Sequence, residues 1–257
     1  DIEFSMNGSG SMLPEPGAVS LTTTLTLGDS MKSLGLDDTA LVISSDSANA
    51  DLKIGKVLLA IDSGLVAVSQ LTAQLSQGGE SFSANAPSLN YDPSTESLEL
   101  PDLGLALGEN QLKLSLSASR VLSQPAASGR FDIRSPDVPA LLSQLKMESP
   151  VPELLLGALQ TSADFAFENN TVVFDGLALA ATIDQVESRL SATRVSFNLD
   201  SGDMALVSTT LEQDDLRLEL TASGSNILGE LSAMQVSGSL AANVTGLGNV
   251  LDRNQLS

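Results

Sequence analysis

The sequence predicts a mainly β chain of antiparallel strands, built from two tandem repeats with a short helical hairpin. Three observations carry that expectation. Polar and apolar residues alternate over most of the 257 residues, turn signals fall between the alternating runs, and the second half of the chain repeats the first.

Strict alternation is the pattern of strands with one face turned from water. QLKLSLSAS places Leu112, Leu114, Leu116 and Ala118 on one face, against Gln111, Lys113, Ser115 and Ser117. DLRLELTAS does the same with Leu216, Leu218, Leu220 and Ala222. Between such runs lie Asp62-Ser63-Gly64, Asn169-Asn170 and Asp200-Ser201-Gly202-Asp203, residue types that tolerate the left-handed backbone of tight hairpins.

Two stretches read as helix. Ser135 is a suitable N-cap with Pro136 at the first helical position, and Val138, Leu141, Leu142 and Leu145 then share one helical face. Ser149-Pro150 starts a second helix, with Leu154, Leu155 and Ala158 inward. Residues 136–160 are therefore expected to form a helical hairpin.

The duplication shows when VLLAIDSGLVAVSQLTAQL, from Val57, is set under ADFAFENNTVVFDGLALAA, from Ala163. Leu59 and Ile61 match Phe165 and Phe167, and Leu71 meets Leu177. LNYDPSTESLEL matches FNLDSGDMAL, NQLKLSLSAS matches DDLRLELTAS, and SGRFDI matches SGSLAA, at offsets of 104 to 109 residues. The expected organisation is a cloning scar or linker at 1–12, an N-terminal β segment at 13–51, repeat 1 at 52–148, a linking helix at 149–160 and a truncated repeat 2 at 161–257. Stacked repeats bury a face that none could bury alone.

Composition narrows the chemistry. With 32 acidic and 12 basic residues the formal charge is -20, which repels nucleic-acid backbones and anionic membrane surfaces. Cys, His and Trp are absent, so zinc, haem and iron–sulfur sites lose their usual ligands. Ser-His-Asp and Cys-His catalysis lack a base. No cofactor or metal is expected, and no enzyme. The one nucleophile motif, Ser143-Gln-Leu-Lys146, lies in an amphipathic helix without companion motifs. Asp200, Asp203, Asp214 and Asp215 are turn residues rather than an EF-hand, and Gly78-Gly79 is a loop rather than a phosphate cradle. What remains is the apolar face of the strands. Its alternation serves a closed sandwich core and an open, acyl-lined groove equally well.

LNYDPSTESLELPDLGLALGENQLKLSLSASRVLSQPAASGRFDIRSPDVPALLSQLKMESP resembles the periplasmic region of AsmA-like proteins. The resemblance rests on Gly129, Phe131, the Ser135–Pro139 linker, Leu141-Leu142 and Pro150-Val-Pro152, with Gly78-Gly79-Glu-Ser-Phe82 similar to a Gly-Gly-x-Phe element. It covers roughly residues 50–257. In the second repeat Ser-Leu-Ala replaces the Phe-bearing strand, and Gly246 and Gly248 weaken the helix. The resemblance implies a Gram-negative envelope protein, anchored in the inner membrane by an N-terminal helix absent from this sequence. Its bulk would lie in the periplasm as a long curved antiparallel sheet, an open groove or taco-like trough that carries phospholipid for outer-membrane biogenesis. Envelope proteins would meet its missing ends. The lipid-contacting residues would be Leu112, Leu114, Leu116, Phe165, Phe167, Leu216, Leu218 and Leu220. The alternative is a non-catalytic structural or adhesive β-repeat module on the cell surface, which explains the repeats and the acidity as well.

Overall fold

The computed structural model describes residues 2–10, 17–28, 32–45, 47–145, 147, 156–183, 186–213, 216–227 and 235–244. Two compact units divide between Gly129 and Arg130. The first holds β1 (Ile2–Gly10), β2 (Gly17–Leu27), β3 (Ser33–Ser45), β4 (Ala48–Ala60), β5 (Val66–Gln77), β6 (Glu80–Asp92), β7 (Ser97–Leu107) and β8 (Asn110–Ser119). The boundary falls inside β9 (Ala126–Ser135). The second unit continues with α1 (Val138–Gln144), β10 (Leu156–Glu168), β11 (Thr171–Ile183), β12 (Val186–Asn198), β13 (Met204–Gln213), β14 (Leu216–Ser225) and β15 (Gln235–Val244). The sheet is antiparallel and open, and hydrogen-bonded neighbours follow chain order from β1 to β15.

The expected hairpins form where turn chemistry allows. Gly64, Asn169, Asn170 and Gly202 all take positive φ. Gly78 and Gly79, at φ +59° and +89°, close the β5–β6 turn, where two consecutive left-handed residues match the twist of the flanking strands. Between β6 and β7, the Ser94 hydroxyl and amide donate to Asp92 and hold its carboxyl below the usual carboxylate range.

The repeats show in the strand plan. β4 to β9 correspond in order to β10 to β15, with start-to-start separations of 105 to 109 residues. β10 begins at Leu156, so the second repeat starts before residue 161.

Three local expectations are corrected. Residues 2–10 are not linker: Ile2–Gly10 pairs residue for residue with β2. Ile2, Phe4 and Met6 alternate with Glu3, Ser5 and Asn7, a strand pattern that the free edge of β2 can template. The helix starts later than Ser135. Pro136 confines Ser135 to extended backbone, and Ser135 ends β9 at 1% exposure. Asp137 is the N-cap, accepting from the Ala140 amide at 3.0 Å, and Pro139 stands in the first turn. Third, Leu156–Gln160 is strand, not helix. Leu159 and Gln160 pair with Ala181 and Ala180 of β11, whose backbone groups a helix would leave without those partners. Residues 149–155, Lys146, Asp214 and Asp215 lie outside the described residues.

Candidate functional site

Paired residues of neighbouring strands point to the same face, so the ladders trace what that face presents. In the first unit one row runs Leu21, Leu41, Leu52, Ala73, Ala84, Leu105, Leu112 across seven strands. A second runs Leu27, Leu34, Leu59, Val66, Tyr91, Leu98, Ala118. In the second unit Phe165, Phe174, Val195, Leu206 and Ala222 form one row, and Phe167, Val172, Phe197, Met204 and Gly224 the next. The opposite face is polar, with surface ion pairs such as Arg130–Asp164, Arg194–Asp175 and Arg217–Glu212.

All eight residues expected on the apolar face lie there. Leu112, Leu114 and Leu116 are half-buried in β8, where Gln111, Lys113 and Ser117 are exposed. Phe165 and Phe167 of β10 and Leu216, Leu218 and Leu220 of β14 are half-buried as well. In the second unit these two groups share a face four strands apart, about 19 Å at the usual strand spacing. The Phe174 ring beside Phe165 meets Phe131 edge-on, centroids 6.0 Å apart, an arrangement that stabilises by about 1 kcal/mol beyond area burial.

Nothing described closes over this face. Within each unit the described elements in substantial contact are sheet neighbours, apart from α1 on β10. The fully buried apolar residues among those described are four alanines, Leu100 and Val138, too few and too small for a sandwich core. The row leucines stay half in water. α1 covers little: Val138 is buried, Leu141 and Leu142 are half-buried, and Leu145 is 50% exposed. Ser143 on α1 is exposed.

The residues that keep the apolar face continuous were not expected from the sequence. Five strands of the first unit slip phase halfway along: Leu34 and Leu36 give way to Leu41 and Ile43, Leu52 and Ile54 to Val57 and Leu59, Val66 and Val68 to Leu71 and Ala73. Phe82 and Ala84 give way to Leu89 and Tyr91, and Leu98 and Leu100 to Leu103 and Leu105. β11, β12 and β13 slip likewise. Without compensation, a one-residue slip would turn every later side chain to the other face.

Each slip is absorbed by one extra residue. Asp38, Gln70, Gly176 and Ser208 take left-handed φ in mid-strand, and the ladder skips the positions Asp38–Gly55, Gly55–Gln70, Gln70–Pro87 and Gly176–Thr193. β2, β8 and β14 alternate without a slip, as does β10 from Leu159 onward, and bulges fall at their junctions with slipped strands: β2–β3, β7–β8, β10–β11 and β13–β14, with a second shift between Leu156 and Leu159 at the start of β10. The unslipped strands prove the continuity. Leu21 and Leu25 share a face of β2, and they pair with Leu41 and Leu36, five residues apart on β3. Such bulges bend a strand and raise its twist, so each unit carries a crease with apolar side chains on one face to either side. The sequence signal was the phase slip itself.

Two hydroxyls interrupt the apolar face. Ser188 Oγ and Thr209 Oγ1 are buried, with no hydrogen-bond partner among the described residues. Shallow depressions lie mainly on the polar face, for example about 570 Å³ beside Ser196, Ala205, Ser223 and Ser237. Among the described residues no three acidic side chains cluster to hold a metal ion, and no helix is long and apolar enough to cross a membrane. No protein family, curated protein or solved structure matches the chain.

Proposed function

We propose that the chain binds phospholipid acyl chains along this apolar face without catalysis. It would act as a periplasmic segment of an inner-membrane-anchored, AsmA-like protein serving outer-membrane biogenesis. One observation supports the reading most: an apolar row seven strands wide, about 29 Å at the usual strand spacing, whose leucines no second layer of described residues covers.

An acyl chain laid there contributes about 0.8 kcal/mol per buried CH₂. Such contacts are non-directional, so the chain slides along the rows without a barrier from broken hydrogen bonds. The headgroup stays in water beside the acidic polar surface. Nothing in this binding requires a nucleophile, a base or a metal.

The test is mass spectrometry of an organic extract from the purified protein, beside an unrelated acidic β protein prepared identically. Phospholipid near one equivalent per chain is the expected result. Leu114→Asp and Leu218→Asp should each lose most of that lipid and keep the far-UV spectrum of a sheet. A clean extract from the unaltered chain would overturn the reading and favour the adhesive module. Gross unfolding of both variants would overturn it too, by placing those leucines in a closed core.

A further inference from the structure

In the second unit the apolar face loses its character at one rim, where β11 turns into β12. The row there runs Leu159, Ala181, Ser188 and Gln213, and the Ser188 hydroxyl is buried without a partner among the described residues. The acyl-lined surface therefore stops short of this rim. Beside it lies a hollow of about 240 Å³. Leu159 and Ala181 of that row line it, and so do Arg134, Gln160, Thr182 and Glu187. The latter four belong to the polar face: the Phe131–Phe174 ring contact puts Phe131 and Ile133 on the apolar side of β9 and Arg134 on the other, and Thr182 pairs with Glu187.

Two charged groups in this hollow are open. Among the described arginines Arg134 alone has neither a hydrogen bond nor an ion pair, although acidic residues outnumber basic ones 32 to 12. Glu187 takes Arg189 Nε at 2.9 Å and Nη2 at 2.7 Å on one oxygen, Oε1, and its Oε2 has no partner among the described residues. A guanidinium and a carboxylate oxygen thus line one hollow from β9 and β12, strands about 14 Å apart at the usual spacing. Gln160 and Thr182 add an amide and a hydroxyl between them. Repeat 1 carries neither feature at this rim: Phe82 stands at the position of Ser188 and Ser81 at that of Glu187.

We propose that this rim holds the headgroup of a zwitterionic phospholipid, a phosphate diester carrying a primary ammonium. The inference rests on the lipid binding proposed above and adds which headgroup is taken and where. Arg134 meets the phosphate, since its planar guanidinium offers parallel N–H donors to two phosphate oxygens. Glu187 Oε2 accepts from the ammonium. The acyl chains pass over the rim at Leu159 and Ala181 onto the apolar rows. Charge selects the class of headgroup. A formal charge of -20 repels a lipid of net negative charge, whereas a phosphate balanced by its own ammonium is neutral and still presents both poles.

Titration calorimetry of the whole chain with two water-soluble probes tests this. Dihexanoyl-phosphatidylethanolamine has both poles, and dihexanoyl-phosphatidylglycerol keeps the phosphate without the ammonium. The ethanolamine lipid is expected to bind about tenfold more tightly. Arg134→Gln should weaken it about tenfold with an unchanged far-UV spectrum. Glu187→Gln keeps an acceptor for Arg189 and removes the charge, so it should erase the preference between the two lipids. Leu218→Asp, away from the rim on the apolar face, should abolish binding of both. Equal affinity for the two headgroups, a preference for glycerol, or indifference to Arg134→Gln overturns the headgroup site; if Leu218→Asp still abolishes binding, the apolar-face reading survives that result. Binding of neither lipid by the unaltered chain overturns both.

Discussion

Where β5 turns into β6, repeat 1 sets Leu75, Phe82 and Leu107 side by side, whereas the equivalent positions of repeat 2 are Ala181, Ser188 and Gln213. At the other end of the strands the contrast reverses. Repeat 1 has Leu59, Val66 and Tyr91, and repeat 2 has Phe167, Val172 and Phe197, so the ladder makes Leu59 equivalent to Phe167 and not, as the sequence match has it, to Phe165. One strand plan therefore carries two distributions of apolar surface. Repeat 1 is apolar along the whole strand length, while repeat 2 concentrates its aromatic surface towards one end and thins towards the other. On the proposed reading, an acyl chain would be held evenly in the first and unevenly in the second.

The largest expected difference comes from removing single residues. β8 alternates without a slip, so deleting Ser115 must turn either Leu112 and Leu114 or Leu116 and Ala118 to the polar face. Exposing two half-buried side chains should cost about 2–3 kcal/mol, read as a lower denaturation midpoint. β11 already contains an extra residue. Deleting Gly176 leaves Val172, Phe174, Leu177 and Leu179 in regular alternation, like neighbouring β10, and moves the register shift to the β11–β12 junction. The expected cost is under about 1 kcal/mol, within the range of changes that disturb no core contact. Equal losses from the two deletions would show that the crease residues do not compensate the slip.

Next in size is the crease backbone. Gly176 and Gln70 occupy equivalent positions with φ near +60°. Glycine adopts that conformation freely, while a side chain is strained there by about 1–2 kcal/mol. Gly176→Val should therefore destabilise by about 2 kcal/mol, because a branched Cβ is the least tolerated. Gln70→Gly should stabilise by less than about 1 kcal/mol, since relief of strain is partly offset by the entropy of the unfolded glycine. Repeat 1 keeps the strained residue beside Gly55, whose missing side chain leaves room for the Gln70 amide. Repeat 2 inverts the arrangement, with fully buried Ala163 beside Gly176. Thermal denaturation of the two variants in parallel decides the point, and a stabilising Gly176→Val would refute it.

The strands were legible because burial on one face writes period two into the chain, and the runs from Leu112 to Ala118 and from Leu216 to Ala222 hold that period without a break. The repeat was legible for the same reason, since paired strands of equal length need similar residues at similar spacing. The helix start was misplaced because Ser135 and Asp137 are both good caps two residues apart. Only the fold shows that Ser135 is still needed in β9. Leu156–Gln160 read as helix because a short apolar run has no period of its own, and its fate depends on whether a neighbouring strand needs partners. The crease escaped for a different reason. A phase slip such as Ile54-Gly55-Lys56-Val57 looks like noise in one strand, and becomes a signal only when β3 to β7 slip at adjoining positions.

The smallest contrast is the most local. Leu103 of repeat 1 pairs with Leu114, and its counterpart in repeat 2 is Thr209, which pairs with Leu220. Thr209 is 7% exposed, and its hydroxyl is buried without a partner among the described residues. An unsatisfied buried hydroxyl costs about 1–3 kcal/mol, and valine has nearly the same shape without that group. Thr209→Val should raise stability by about 1 kcal/mol, visible as a higher urea midpoint at unchanged slope. It makes repeat 2 more like repeat 1 at this point, so it should leave lipid content equal or slightly higher. Thr209→Ser separates the two contributions, since it keeps the hydroxyl and removes only the methyl group; it should destabilise by about 1 kcal/mol. A Thr209→Val protein less stable than the unaltered chain would mean that the hydroxyl has a partner, such as an ordered water at the crease, and that repeat 2 is polar there because that partner stabilises the bend.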